Sequence, residues 1–150
     1  MTNTASPTVE TPARGKKSAG RIVTAIVRIM LGLAFLFFGV MGLFNLMKPP
    51  PDTPQEILTV VGALANAGYM KVVAATEIIV GVMLLTNRFV PLALALLAPI
   101  VVGIITFHVA MQPAGIIPGL VVLAMELYLA WAYRGAFCPM LRAKVSPGVN

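Results

Sequence analysis

Four long apolar segments dominate this sequence and constrain its fold more than any other feature. They run over residues 22–46, 69–86, 89–109 and 116–133, with bounds approximate to a few residues. Crossing about 30 Å of hydrocarbon takes roughly 20 helical residues, so each segment is close to the length of one crossing. Backbone groups in lipid must pair within the protein, and the segments show no strand-like alternation. The sequence therefore predicts an all-α integral membrane protein built as a bundle of four transmembrane helices.

Composition supports a membrane protein and argues against a nucleic-acid-binding protein and a metal-binding protein. Hydrophobic residues make up 59% of the 150 residues, charged residues make up 11%, and the mean hydropathy is +0.92. The net charge of +6 comes from short segments beside the apolar runs rather than from a stripe with aromatic residues, so we expect no nucleic-acid partner. The single cysteine, Cys138, has no neighbouring residues at a metal-ligand spacing. We therefore expect no metal site. The hydrophobic composition makes a lipid bilayer the expected partner.

Basic residues predict how the bundle is oriented. A basic cluster precedes the first span, Arg88 lies in the second connection, and Arg134 follows the last span. Cytoplasmic connections of membrane proteins are enriched in such residues, so both termini are predicted to be cytoplasmic. Residues 1–20 are predicted to be a disordered basic tail, residues 21–135 the transmembrane domain, and residues 136–150 a cytoplasmic tail.

The first external connection contains a helix-start pattern. Thr53 could cap a helix whose first residue is Pro54 and whose third is Glu56, and apolar residues follow at helical spacing. The sequence thus predicts a short surface helix over about residues 54–66, ended by Gly68.

Three charged residues lie inside the apolar segments: Arg28 in the first, Glu77 in the second and Glu126 in the last. A charge at the centre of a lipid-facing helix costs roughly 2.5 to 3.5 kcal/mol, so such groups turn inward and find partners. From the predicted spans, each lies roughly 9 to 14 Å from the cytoplasmic end of its helix. We therefore predict a buried polar centre in which the guanidinium faces both carboxyl groups. Such a centre could be a functional site or a structural clamp that fixes neighbouring helices.

A second candidate site lies at the outer side, where Lys71 opens the second span and His108 closes the third. The lysine could simply extend to the headgroups, and the histidine could be an ordinary interfacial hydrogen-bonding residue. In the functional interpretation, His108 exchanges a proton with a hydroxyl or quinone oxygen.

The motifs of these segments together resemble one family. They are Arg28-Ile29-Met30-Leu31-Gly32, Phe38-Gly39, Glu77-Ile78-Ile79-Val80-Gly81-Val82-Met83-Leu84-Leu85, Phe107-His108, Glu126-Leu127-Tyr128-Leu129-Ala130-Trp131 and Arg134-Gly135. On these residues the chain resembles the DoxX-like family of small four-helix bacterial membrane proteins. The resemblance covers about residues 22–142. It implies a four-helix bundle in the bacterial cytoplasmic (inner) membrane, and for the name-giving members a place as subunits of quinone-linked oxidoreductases.

The resemblance leaves three functions open. The chain could be a redox-associated subunit that holds a quinone while a partner subunit supplies electrons. It could instead be a non-catalytic interaction or assembly protein, in which the buried charges only secure the fold and self-association is open. Proton-coupled movement of a small solute is ranked last, because the sequence shows no inverted repeat.

Overall fold

The computed structural model describes residues 14–139, and every regular element within that range is helical. The helices are α1 (Arg14–Leu43), α2 (Gln55–Asn66), α3 (Tyr69–Leu85), α4 (Val90–Met111), α5 (Ile116–Ala132) and α6 (Arg134–Phe137), with a 3-10 turn at Pro113–Gly115. The all-α prediction is confirmed for this range.

Two helices are long and apolar enough to cross a membrane by themselves, namely Ala19–Leu43 within α1 and Val90–Met111. Helices α2 and α3 meet the same criterion only as a pair, and they are bent by 75° at the break between them. Helix α5 is apolar but has 17 residues. The chain is therefore a membrane protein with two clear spans and up to three by this criterion, while the four-crossing arrangement and its orientation stay predictions.

Helix α1 begins earlier than the sequence suggested. Residues 14–20, assigned to the basic tail, are helical and continuous with the first span. Lysine, arginine and alanine are good helix formers, so the basic cluster can extend the helix that follows it. The rest of the predicted disordered tail, residues 1–13, lies outside the described residues, as do residues 140–150 of the predicted cytoplasmic tail.

Helix α2 occupies the predicted surface segment, but the predicted cap is wrong. The hydroxyl of Thr53 donates backwards to the carbonyl oxygen of Pro50, at 2.7 Å, instead of capping the helix. Pro54 therefore occupies the capping position, and no side chain caps the helix start. At the other end, Gly68 adopts φ +78°, a left-handed conformation that glycine takes without strain, and it opens the bend into α3.

The helices α1 and α3 pack most closely in the bundle. A Cβ atom placed on Gly39 would lie 2.8 Å from the carbonyl oxygen of Ala74, and one on Gly81 would lie 2.8 Å from the backbone nitrogen of Leu36. The backbones therefore touch where the glycines face each other. In membranes such close approach of small residues replaces the hydrophobic driving force that holds soluble bundles together. Because Gly39 meets Ala74 while Gly32 meets Gly81 and Leu84, the two helices run antiparallel.

The remaining helices complete the bundle around a buried apolar centre. Helix α4 packs against α3 and α5, and α5 packs against α1. The largest fully buried side chains come from four helices: Leu31, Leu84, Leu97, Leu129, Val80 and Val101. This packing leaves α1, α3 and α5 meeting at the end of the bundle that carries the start of α1, and leaves a groove between α4 and α5.

Candidate functional site

Arg28 is buried within the bundle and is bonded to a backbone carbonyl. Its side chain is 9% exposed, and its Nη1 atom donates a hydrogen bond to the carbonyl oxygen of Leu84, near the end of α3. Cations near the carboxyl end of a helix interact favourably with the partial negative charge of the last carbonyl groups. The arginine therefore ties α1 to the end of α3, and it also lines a cavity at that end of the bundle.

Glu77 lies on α3 well away from this contact. It is seven residues before Leu84, which is about 10 Å along the helix axis at 1.5 Å per residue. The sequence-based depth took the predicted cytoplasmic ends of the spans, near residues 22, 86 and 133, as one level. In the structure, however, the end of α3 packs near Arg28 rather than near residue 22. The glutamate is half-buried, and the hydrogen bonds between described residues include none to its carboxylate.

Glu126 faces α4 rather than α1. It is 6% exposed and lines an apolar groove of about 260 Å³ between α4 and α5, together with Leu94, Ala95 and Ala98. Two residues further along α5, the hydroxyl of Tyr128 lies 3.2 Å from that of Thr24 on α1. Residues two apart on a helix point about 200° apart, so the Glu126 and Tyr128 side chains face opposite sides of α5.

The three charged residues therefore occupy three surroundings. Arg28 lines the cavity at one end of the bundle, Glu126 lines the α4–α5 groove, and Glu77 lies in the middle of α3. In the described part of the chain the recorded hydrogen bond of the guanidinium goes to a carbonyl, and none joins it to a carboxylate. A direct contact of all three groups thus stays a prediction. Spacing within one helix predicts which residues share a face, but only packing decides which helix meets that face.

The outer candidates are also placed separately. Lys71 is exposed in the first turn of α3. His108 is half-buried in the last turn of α4, with its Nδ1 atom 2.8 Å from the carbonyl oxygen of Ile104. Its ring also covers Gly115 so closely that a Cβ atom there would lie 2.6 Å from Nε2. The hydrogen bonds of the described residues include none between Lys71 and His108.

This geometry predicts the tautomer of His108. A carbonyl oxygen can only accept, so in the neutral ring Nδ1 must carry the proton. We expect nitrogen NMR of histidine-labelled protein in nanodiscs to show the Nδ1–H tautomer near neutral pH. Gly115→Ala should displace the ring and raise the population of the other tautomer, because its methyl group takes the space beside Nε2. An Nε2–H ring in the unsubstituted protein would contradict the assignment.

The structure adds three groups that sequence reasoning missed. They are the Leu84 carbonyl that receives Arg28, the Thr24–Tyr128 hydroxyl contact, and Ala95 on the wall of the Glu126 groove. Only the last had a sequence signal. Pro99 lies inside α4 and has no N–H, so the carbonyl of Ala95, four residues earlier, loses its usual helical donor.

Three comparisons bear on identity. A family model described as DoxX matches residues 23–110, which is more than half of the 150-residue chain. No curated protein and no solved structure matches the chain. Within the described residues, no group of three or more histidine, cysteine or acidic side chains is placed to hold a metal ion. The matched range covers α1 to α4, so Glu126 lies beyond it.

Proposed function

Because the chain belongs to the DoxX family of membrane proteins, we propose that it is a quinone-linked, redox-associated subunit of the bacterial cytoplasmic membrane. The observation that carries this proposal is the position of Glu126, a buried acidic residue that lines an apolar groove between α4 and α5. Intramembrane ionisable residues are rare and mark pathways or ligand sites more often than ordinary packing.

The proposed topology has four crossings with both termini cytoplasmic. Helices α3 and α5 have 17 residues each, about 25 Å of helix, and α3 packs antiparallel along the longer α1. Because consecutive spans cross in opposite directions in this topology, the start of α1, the α3–α4 connection and the end of α5 lie at the same end of the bundle. Arg21, Arg88 and Arg134 lie in these three places, which fits the enrichment of basic residues on the cytoplasmic side.

The residues of the groove suit a quinone head group. Its volume of about 260 Å³ is bounded mainly by leucine, alanine and valine side chains, and Glu126 is the single ionisable residue among the described residues that line it. Ligand sites of this kind are apolar walls with a few placed polar groups. A bound quinone would supply two-electron chemistry coupled to two protons. The Glu126 carboxyl can donate a hydrogen bond to a carbonyl oxygen when protonated and accept one from a hydroxyl when ionised.

Two further features favour Glu126 as the proton-exchanging group. The carbonyl of Ala95 lacks its usual helical donor because of Pro99, and Ala95 lines the same groove as Glu126. His108, the other titratable candidate, already uses Nδ1 on the Ile104 carbonyl. A single copy of the chain has one histidine, so it cannot provide a pair of histidine ligands to a haem. We assign the electron carrier to a partner subunit.

Filling the groove is expected to weaken quinone binding. Ala98 lines the groove, and Ala98→Leu would place a branched side chain inside it. We expect protein extracted gently into lipid nanodiscs to carry quinone at close to one equivalent. Ala98→Leu should weaken the quinone affinity by about tenfold or more, as losing a contact worth about 1.4 kcal/mol would do, and so lower the quinone content to about half or less. Extraction into organic solvent followed by mass spectrometry measures the bound quinone.

The matched control is Ala124→Leu, which adds the same side chain to an exposed alanine of α5 outside the groove. It should keep the full quinone content. Glu126→Gln should also fold, while losing the pH dependence of quinone affinity. Equal quinone content in Ala98→Leu and Ala124→Leu protein, or no quinone in either, would overturn the proposal.

A second candidate function is that of a non-catalytic assembly protein whose buried charges are structural. The hydrogen bond from Arg28 to the Leu84 carbonyl favours it, because that contact joins two helices without involving a ligand. In this alternative, neutralising Glu126 lowers bundle stability and the recovery of partner proteins together. In the quinone-linked proposal Glu126→Gln leaves stability nearly unchanged, so thermal unfolding combined with quinone content separates the two functions.

A further inference from the structure

A large cavity lies at the end of the bundle where α1, α3 and α5 meet, on the other side of α5 from the Glu126 groove. Its volume is about 890 Å³. One wall is held by the hydroxyl contact between Thr24 and Tyr128, which joins α1 to α5 at 3.2 Å. The floor is formed by Arg28, whose bond to the Leu84 carbonyl fixes the guanidinium between α1 and α3.

The lining of this cavity is strongly positive. Three arginines contribute to it, Arg21, Arg28 and Arg134, and none of the described residues that line it is acidic. Arg28 is buried to about nine-tenths and makes one side-chain hydrogen bond to the residues that the structure describes, whereas a guanidinium carries five N–H donors. Arg21 is seven residues before Arg28 and lies on the same face of α1. Three cations without a facing carboxylate would repel one another in a partly desolvated cavity, and a bound anion relieves that repulsion.

At the mouth of the cavity, Trp131 holds the Arg134 side chain in place. The Arg134 guanidinium lies 4.9 Å from the centre of the Trp131 ring, and its Nη1 donates to the carbonyl oxygen of Trp131 at 3.1 Å. In a neighbouring pair, the Tyr133 hydroxyl lies 3.5 Å from the Asn87 amide oxygen, which adds neutral hydrogen-bonding groups from the α5–α6 junction and the α3–α4 connection. The donors thus come from several helices and converge on one space.

We propose that this cavity binds a phosphate group carried on a larger organic molecule. Arginine is the side chain best matched to phosphate, because its planar N–H groups bind two oxygens at once. The volume exceeds what phosphate alone needs, so it has room for the attached body. That phosphate can come from an anionic phospholipid headgroup at the membrane surface or from a soluble phosphorylated compound. The proposal is independent of the quinone groove and its test uses different residues.

The test compares ligands on the full chain purified in mild detergent. Native mass spectrometry would measure binding of phosphatidylglycerol, of phosphatidylcholine with the same acyl chains, and of glycerol 3-phosphate. We expect an anionic ligand to bind about tenfold or more tightly than phosphatidylcholine, as expected for charge-assisted contacts with several arginines. Phosphatidylglycerol binding above glycerol 3-phosphate identifies a lipid source, and the reverse order identifies a soluble one.

Variants decide whether the cavity is responsible. The double variant Arg21→Gln/Arg134→Gln should lose most of this preference, and both residues are exposed enough for the bundle to fold without them. Arg28→Lys keeps the charge but removes the planar guanidinium, and it should weaken binding of the anionic ligand less than the double variant does. The matched control is Arg88→Gln, an exposed arginine outside the cavity, which should bind like the unsubstituted chain. No anionic preference, or an equal loss in Arg88→Gln and the double variant, would overturn the proposal.

Discussion

Replacing Gly81 with valine is expected to disrupt the packing of α1 against α3 and strongly destabilise the bundle. A Cβ atom on Gly81 would lie 2.8 Å from the backbone nitrogen of Leu36 and 2.9 Å from the carbonyl oxygen of Gly32. Backbone atoms cannot rotate away as a flexible side chain can, so the helices must separate. Overpacking costs roughly 1 to 3 kcal/mol and occasionally more, and the two further methyl groups of valine place this substitution at the upper end.

The measurement is thermal or denaturant unfolding of the purified protein in detergent micelles, followed by circular dichroism. Gly103→Val is the control, because Gly103 is also helical and a Cβ atom there meets nothing within 4 Å. It should change stability by no more than about 0.5 kcal/mol. Gly39→Val should behave like Gly81→Val, since its Cβ atom would lie 2.8 Å from the Ala74 carbonyl oxygen. Similar stability of the Gly81 and Gly103 variants would refute the proposed contact between the two helix backbones.

Replacing Arg28 with glutamine is expected to be the most damaging change of a charged residue. The substitution removes a buried charged donor and leaves the Leu84 carbonyl without its partner from α1. Hydrogen bonds to charged groups are worth about 1.5 to 3 kcal/mol, and we expect a loss of this size. Arg28→Lys should recover part of it, because an ammonium group keeps the charge near the end of α3.

Arg88→Gln serves as the control for this prediction as well. Arg88 is exposed in the α3–α4 connection, so its loss should stay within about 0.5 kcal/mol. The unfolding curves of the three variants give the comparison directly. If Arg28→Gln protein is as stable as Arg88→Gln protein, the guanidinium does not hold α1 to α3.

The sequence by itself determined the class of fold. Long apolar segments without strand alternation leave helices as the remaining way to pair the backbone in lipid, and the order of α1, α3, α4 and α5 follows those segments. Gly32, Gly39 and Gly42 recur at helical spacing in the first segment and so share a face, which is a sequence signal for a close helix contact. Family membership also followed from motifs in these segments.

Only the tertiary structure decided how the charged residues are distributed. The spacing of Arg28, Glu77 and Glu126 gave each a face and an approximate depth, but depth depends on where packed helices stop relative to one another. The end of α3 packs near Arg28, so Glu77 is about 10 Å farther along its helix, while Glu126 turns to α4. Neighbouring helices fix these relations through contacts between distant residues, and no pattern within a single segment contains them.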